Sequence, residues 1–534
     1  MTSRTRLRPA ALVQPALLAA LGLTGIALAF VQTAPPPNRW PGADEWSAAS
    51  IVLLAFAALC ATLLRPGRSA NHPPAGASPD LVVHASQTGL AEMLAQRTAA
   101  AIAGDGDAAP AHALGRLDMA SLSGAERAWF VVSTTGEGDA PDPARHFVAD
   151  AMHHRPDLGH LEYALLSLGD RRYTDFCGFG RRLDAWLRAC GARPMAPAIE
   201  VDDGDPTALA RWRALIADRG GHAAALAPGP EAPWRLDARR HSNAGSPGGA
   251  IYRVRLVPEG PLPAWQAGDI AEITPRNDPA AVARTLAALG RDGDLDAGGA
   301  PLRDRLSHRR LPAPSALPAL RDLTPDALIG QLRPLPHRSY SIASIPADGA
   351  VELLVRRMPG ENGDSGLGSG WLCEHAPPGS SMHLHIRSNP GFHAPPGAPP
   401  LILIGNGTGL AGLRAHLRAR AAAGERPNWL LFGERTRAHD LHFGDEIARW
   451  QQDGTLTRVD LAFSRDQDER VYVQHRLSAA ADTLRAWIDN GAALLVCGSR
   501  DGMAAGVDAT LREILGSDRV DALMEDGRYR RDIY

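Results

Sequence analysis

Two long apolar runs open the chain. After them, apolar residues come only in short segments separated by polar, glycine-rich turns. Residues 10–31 and 48–64 carry no charged side chain. At ~1.5 Å per residue both can cross a ~30 Å hydrocarbon layer as helices, the second only just. Trp40 and Trp46 in the connector suit a membrane interface. Arg4, Arg6 and Arg8 precede the pair and Arg65 and Arg68 follow it, so the positive-inside rule predicts that both ends face the cytoplasm. A cleaved signal peptide ending at Ala27-Leu28-Ala29 is the competing reading, and it still leaves the second span as an anchor. Neither run holds a His or a carboxylate, which argues against a haem-carrying bundle. The pattern predicts a two-helix membrane anchor over residues 1–70 and a Pro- and Gly-containing linker over 71–80.

The next region alternates strand and helix patterns. Residues 81–85 form a short apolar strand, followed by Ser86, Gln87, Thr88 and Gly89 and a helical stretch to about residue 102. Hydroxyls and glycine between a strand and a helix start make an anion site, because free backbone N–H groups meet the phosphate there. Taken alone this could be an ordinary strand-to-helix turn. Two more strands, at 129–132 and 165–168, end in Thr134, Thr135, Gly136 and Gly138, and in a loop holding Tyr173. Loops at the carboxyl ends of strands are where open α/β sheets bind ligands.

Residues 222–240 are rich in Ala and Pro and read as a connector. Residues 251–256 alternate as a half-buried strand does, and 266–273 read as a turn entering another strand. Short helices are predicted near 280–289 and 324–332, which leaves little room for a large helical insertion. Strand alternation places Arg338 and Tyr340 on one face and Ser339 and Ser341 on the other. Arg offers a fixed fork of donors to a diphosphate, and Tyr offers a flat face to an aromatic ring. Gly366, Gly368 and Ser369 form a small-residue turn at a helix start, a second anion site.

Residues 401–404 are wholly apolar, as in a buried parallel sheet. They run into Gly405, Gly407, Thr408 and Gly409, where glycines let a pyrophosphate approach the backbone. After strands at 428–435 and 456–463 come Ser464, Arg465, Arg470 and Tyr472. Cations beside a hydroxyl and a ring suit a 2′-phosphate on adenosine. A late strand ends at Cys497, and the chain closes with Asp532 and Tyr534.

Composition narrows the classes. The 534 residues suggest three or four domains. With 59 acidic and 56 basic residues the net charge is −3, which gives no reason to expect nucleic-acid binding. Five cysteines without a CxxC pair argue against a disulfide scaffold, a zinc ribbon or an iron–sulfur module, and no metal site is expected.

These motifs, in this order over about residues 80–534, resemble the diflavin reductase family of NADPH–hemoprotein reductases and sulfite reductase flavoproteins. The resemblance implies an α/β multidomain fold. Its parts are a flavodoxin-like doubly wound domain (81–220), a ferredoxin-reductase-type FAD β-barrel (230–395) and an NADP-binding α/β domain (396–534). It implies that Ser86, Gln87, Thr88 and Gly89 hold the FMN phosphate. Thr134, Thr135, Gly136 and Gly138 would line one side of its ring, and Tyr173 would stack on the other. Arg338, Tyr340 and Ser341 match the family's RxYS motif, and Gly366, Gly368 and Ser369 match its second FAD motif. Gly405, Gly407, Thr408 and Gly409 match its NADP turn, with Gly412 where relatives usually have Pro. Ser464, Arg465, Arg470 and Tyr472 would select NADPH, with Arg470 where Lys is usual. Ser341, Cys497 and Asp532 would surround the hydride path, and Tyr534 would stack over the FAD ring.

The implied function is NADPH to FAD to FMN to a one-electron acceptor, such as a hemoprotein. The membrane spans place the enzyme at the inner membrane with its catalytic domains in the cytoplasm. The alternatives are the flavoprotein component of an NADPH sulfite reductase, a ferric or siderophore reductase, and a flavin-binding assembly or sensing module without turnover. Glu137, Asp139, Asp142, Glu200, Asp202, Asp203 and Asp205 form either a negative rim for a basic acceptor or a solvated face.

Overall fold

A computed structural model describes residues 80–534 except 87–88, 105–108, 172, 227–230 and 361–364. All of these lie in one compact unit, Gly76–Tyr534. Both predicted membrane spans, and Gln87 and Thr88, lie outside the described residues. Among the described residues no helix is long and apolar enough to cross a membrane.

Three sheets follow one another along the chain. The first consists of β1 (Asp80–Ala85), β2 (His112–Ala113), β3 (Arg127–Ser133), β4 (Glu162–Gly169) and β5 (Arg193–Pro194), in the order β2-β1-β3-β4-β5. β6 (Ile199–Asp202) also pairs with β4, and every pairing is parallel. β3 and β4 are apolar at nearly every position, so both faces need cover. The helices Leu90–Ala103 and Pro206–Asp218 cover one face, where Trp129 meets Trp212 edge-on at 5.6 Å. The helix Gly178–Ala189 covers the other through Phe179, Leu183 and Leu187.

The second sheet is antiparallel. Its strands are β7 (Ala232–His241), β8 (Ile251–Pro258), β9 (Ile270–Ile273), β10 (Arg338–Ser341), β11 (Val351–Arg356) and β12 (Ser381–Arg387), in the order β10-β9-β12-β7-β8-β11. Just past β10, the Ala343 N–H donates to the Glu352 carbonyl in β11 (2.8 Å), which brings the two ends of the sheet together. One expectation is corrected here. The segment read as a connector holds the ten-residue strand β7, which buries Trp234 and Leu236 between exposed charged residues. Between β9 and β10 both expected helices are present, with a further short one between them. Helices Pro279–Leu289, Leu302–Ser307 and Pro325–Gln331 share a core of their own around Leu286, Leu302, Leu306 and Leu328.

The third sheet is wholly parallel: β13 (Leu401–Asn406), β14 (Asn428–Glu434), β15 (Arg458–Phe463), β16 (Ala493–Gly498) and β17 (Tyr529–Ile533), in the order β15-β14-β13-β16-β17. Its two faces pack separate apolar cores.

A buried arginine joins the second sheet to the third. Arg414, on the helix Leu410–Ala423, donates to the Ala343 carbonyl (2.8 Å), to Glu352 (2.8 Å) and to Glu446. Its guanidinium lies 4.2 Å from the Phe443 ring centroid, at the same distance as that of Arg253. Arg418 on the same helix pairs with Asp348 and Glu446. Truncating one member of a buried ion pair leaves the other charge desolvated, at a cost of about 3 kcal/mol or more. Arg414→Leu is therefore expected to lower the melting temperature of the catalytic region by about 3 °C or more, measured by calorimetry.

Candidate functional site

In the first lobe, the turns that follow β1, β3 and β4 meet at one sheet edge. Gly89 caps the helix Leu90–Ala103 with φ +78°, a left-handed conformation that suits glycine. Ser86 Oγ and Thr134 Oγ1 are buried and have no hydrogen-bond partner among the described residues. Buried hydroxyls are rarely left so, and a bound phosphate or flavin edge would satisfy them. Thr135 closes its loop through backbone bonds in both directions with Asp139 (2.8 and 2.9 Å). Glu137 accepts from the Thr174 N–H (3.0 Å), which ties the loop of Thr134, Thr135, Gly136 and Gly138 to that of Tyr173. A Cβ at Gly138 would collide with the Asp175 side chain, so only glycine allows this approach.

In the second lobe, Arg338, Tyr340 and Gly368 converge. A Cβ on Gly368 would lie 2.6 Å from both Arg338 Cγ and the Tyr340 hydroxyl. Arg338 and Tyr340 thus share a face, with the small-residue turn against them. Ser369 Oγ accepts from the Met358 N–H (3.0 Å) and fixes the turn beside Gly366. Arg338 also pairs with Asp203 of the first lobe (3.3 Å).

In the third lobe, sheet register assembles the centre. Gly405 pairs with Cys497, and Cys497 pairs with Asp532, in one row across β13, β16 and β17. Asp532 Oδ2 accepts from Ser341 Oγ (2.7 Å) and lies 3.6 Å from Cys497 Sγ. Residues from two sheets thereby share one carboxylate oxygen. Burial raises the Asp532 carboxyl above its ordinary range, against its hydrogen bonds from Ser341 and Cys497. Burial, with Asp532 alongside, pushes the Cys497 thiol well above its usual value, so Cys497 is a neutral thiol and not a nucleophile. Tyr534 as a residue is 57% exposed, and its hydroxyl bonds Thr408 (3.1 Å).

Ser464, Arg465, Arg470 and Tyr472 lie on the turn between β15 and the helix Val473–Ala479. Ser464 is buried and donates its N–H to the Glu434 carbonyl (2.9 Å). Arg465 and Arg470 are exposed. Among the described residues no carboxylate pairs with either, which leaves both free for a phosphate.

Sequence reasoning did not single out Arg500. Its guanidinium lies 5.3 Å from the Tyr173 ring centroid and donates to the Tyr173 hydroxyl (3.2 Å), while its backbone N–H donates to the Tyr534 carbonyl (3.0 Å). Its only sequence signal is its place just after Cys497-Gly498. Most of the seven acids also have partners within the chain. Asp142 pairs with Arg531, Glu200 with Arg181, Asp202 with Arg171 and Asp203 with Arg338, and Asp205 caps a helix.

Comparison with known proteins agrees with this layout. Residues 82–212 match the flavodoxin family, and residues 403–509 match the oxidoreductase NAD-binding domain. The sulfite reductase [NADPH] flavoprotein alpha-component of Bacillus subtilis (strain 168) is 29% identical, over 87% of this chain and 91% of its own. That of Neisseria meningitidis serogroup C (strain 053442) is 29% identical over 85% and 89%. That of Shewanella sp. (strain MR-7) is 28% identical over 89% and 94%. The chain belongs to the diflavin reductase family.

As a diflavin reductase it is an oxidoreductase that uses FMN, FAD and NADPH, and the donors present fit that set. The orphaned hydroxyls of Ser86 and Thr134 suit FMN. The Arg338–Tyr340–Gly368 cradle suits FAD, and the unpaired arginines suit a 2′-phosphate. Replacing both Arg465 and Arg470 by Ala should raise the KM for NADPH by about tenfold or more and leave that for NADH unchanged, measured by steady-state kinetics with ferricyanide.

Proposed function

We propose that this diflavin reductase carries electrons from NADPH through FAD and FMN to a hemoprotein at the cytoplasmic face of the inner membrane. The observation that carries the reading is Arg500. One residue touches both Tyr173, at the FMN turns, and Tyr534, at the Ser341–Cys497–Asp532 centre, so the two flavin sites face each other across it.

When bound, FAD takes an electron pair from NADPH and FMN releases electrons one at a time. The residues of the chain bind, orient and exclude water. Arg465 and Arg470 hold the phosphate that distinguishes the nucleotide. Asp532 Oδ2 fixes Ser341 Oγ and Cys497 Sγ, and its burial favours a proton at that carboxyl. Tyr534 is exposed and tethered through its hydroxyl and backbone, so its ring can yield its place without unfolding a core. The two apolar runs support the membrane location.

A second reading is favoured by the relatives, which are named as sulfite reductase components: the acceptor is then a sulfite-reducing partner.

Replacing residues 86–89 with alanine is expected to abolish NADPH-driven cytochrome c reduction and to spare ferricyanide reduction. Loss of both activities, or of neither, contradicts the assignment of that turn. Full-length chain should remain in the membrane fraction after a carbonate wash, whereas a chain starting at Ser69 should be recovered in the supernatant. Sulfite-dependent NADPH oxidation on addition of a co-purifying protein would select the second reading.

A further inference from the structure

The FMN turn of the first lobe rests on a ledge built from the second. A Cβ on Gly89 would lie 2.5 Å from Asn389 Oδ1 and 3.6 Å from Arg387 Nη1. Gly89 therefore has two reasons to be glycine: its φ of +78° and the closeness of this ledge. Both ledge residues belong to the flavin lobe, Arg387 as the last residue of β12 and Asn389 just beyond it.

Each is held rigidly. Arg387 is 4% exposed, and its Nε donates to Glu272 Oε1 on β9 (2.7 Å). Asn389 is 2% exposed. Its N–H donates to Asp269 Oδ1 (3.0 Å) and its Nδ2 to the Gly268 carbonyl (3.1 Å). Glu272 also faces the first lobe. Burial lowers the Arg97 guanidinium below its ordinary value, and the attraction of Glu272 works against that. Arg97 lies on the helix Leu90–Ala103, which Gly89 caps. One carboxylate of the second lobe thus serves a cation of each lobe, and Arg387 Nη1 is left toward the start of that helix.

The ligand expected at this turn is an anion. The side chains of Ser86, Gln87, Thr88 and Gly89 carry no charge. Ser86 Oγ is buried without a partner among the described residues, and the helix start offers backbone N–H groups. Glu92, the acid in the first turn of the helix, faces Arg530 and His393, and burial raises its carboxyl above the ordinary range. A phosphate monoester carries close to two negative charges near neutral pH. A fixed guanidinium gives it charge-assisted bonds, stronger than those of neutral donors. We propose that Arg387 binds the phosphate of FMN across the lobe boundary, so that the flavin is gripped by the second lobe as well as by its own turn. By linkage, FMN then favours docking of the two lobes by the same factor that docking favours FMN. The inference rests on Ser86–Gly89 being the FMN phosphate turn.

The test is flavin binding to the full chain stripped of FMN, followed by quenching of flavin fluorescence, with FMN and with riboflavin, which lacks the phosphate. Arg387→Ala should weaken FMN by about 10- to 100-fold and leave riboflavin unchanged. Arg387→Gln, which keeps a donor for Glu272, should show the same split even if the Ala variant folds poorly. Arg387→Lys, which keeps the charge, should fall between. Unchanged FMN affinity in the Gln variant overturns the proposal, as does equal weakening of both flavins, which marks a merely structural role. If the wild-type chain binds FMN no more tightly than riboflavin, the reading of the phosphate turn itself fails and the proposal falls with it.

Discussion

The contact between Arg414 and the Ala343 carbonyl sets the chemistry of this diflavin reductase. Ser341 belongs to the antiparallel sheet, whereas Cys497 and Asp532 belong to the parallel one. The centre exists only if the two sheets are registered to within a hydrogen-bond length. Arg414 reaches from the helix that follows the nucleotide turn to a carbonyl two residues past Ser341. It is buried, shares Glu446 with Arg418 and lies against the Phe443 ring. In so low a dielectric each bond is stiff, and breaking one member leaves a desolvated charge. Arg530 adds a second fastening, from β17 to the carbonyls of Pro390 and His393 (2.9 and 2.8 Å).

The first lobe is seated differently. Its ties to the other two include Asp203 with Arg338, Asp142 with Arg531, His146 with Glu525, and Tyr173 with Arg500. Apart from the buried Asp142–Arg531 pair, these side chains are partly exposed. Such pairs are worth ~0–1 kcal/mol each and are screened by salt. An electron carrier that must serve both an internal donor and an outside acceptor needs a seat of this kind. The same acids that could greet a basic acceptor are already answered by arginines within the chain.

Much of this was legible in the sequence wherever local pattern decides structure. Strands β3, β4, β13 and β16 are nearly all apolar and sit in parallel sheets buried on both faces. The nucleotide turns announce themselves through glycine. β7 escaped because Trp234 and Leu236 are its only fully buried residues, set among Arg235, Asp237, Arg239 and Arg240 in an Ala- and Pro-rich stretch. Between β9 and β10 the helices Pro279–Leu289 and Pro325–Gln331 were legible, whereas Leu302–Ser307 escaped because six residues are too few for a clear helical period. Arg387, Arg414 and Arg500 could not have been chosen in advance. An arginine at a strand end or on a helix reads as solvated, and only tertiary packing shows what it meets.

That packing also changes the meaning of the glycines at the nucleotide turn. A Cβ on Gly405 would lie 2.6 Å from the Cys497 carbonyl oxygen, and one on Gly409 would collide with the same carbonyl and lie 2.7 Å from Gly498 Cα. A Cβ on Gly412 would stand 3.3 Å from Cys497 Sγ and 3.6 Å from Ser341 Cβ. Gly405 and Gly409 are required by the backbone of β16, whatever nucleotide is bound, and Gly412 stands close against the centre. Asn406 reinforces the approach by clamping Ser499 through its N–H (3.0 Å) and hydroxyl (3.1 Å). Gly407 alone, with φ +55°, faces away from β16 toward a guanidinium. The motif therefore does two jobs: three small residues draw the thiol and carboxylate strands against the turn, and one opens the turn to phosphate.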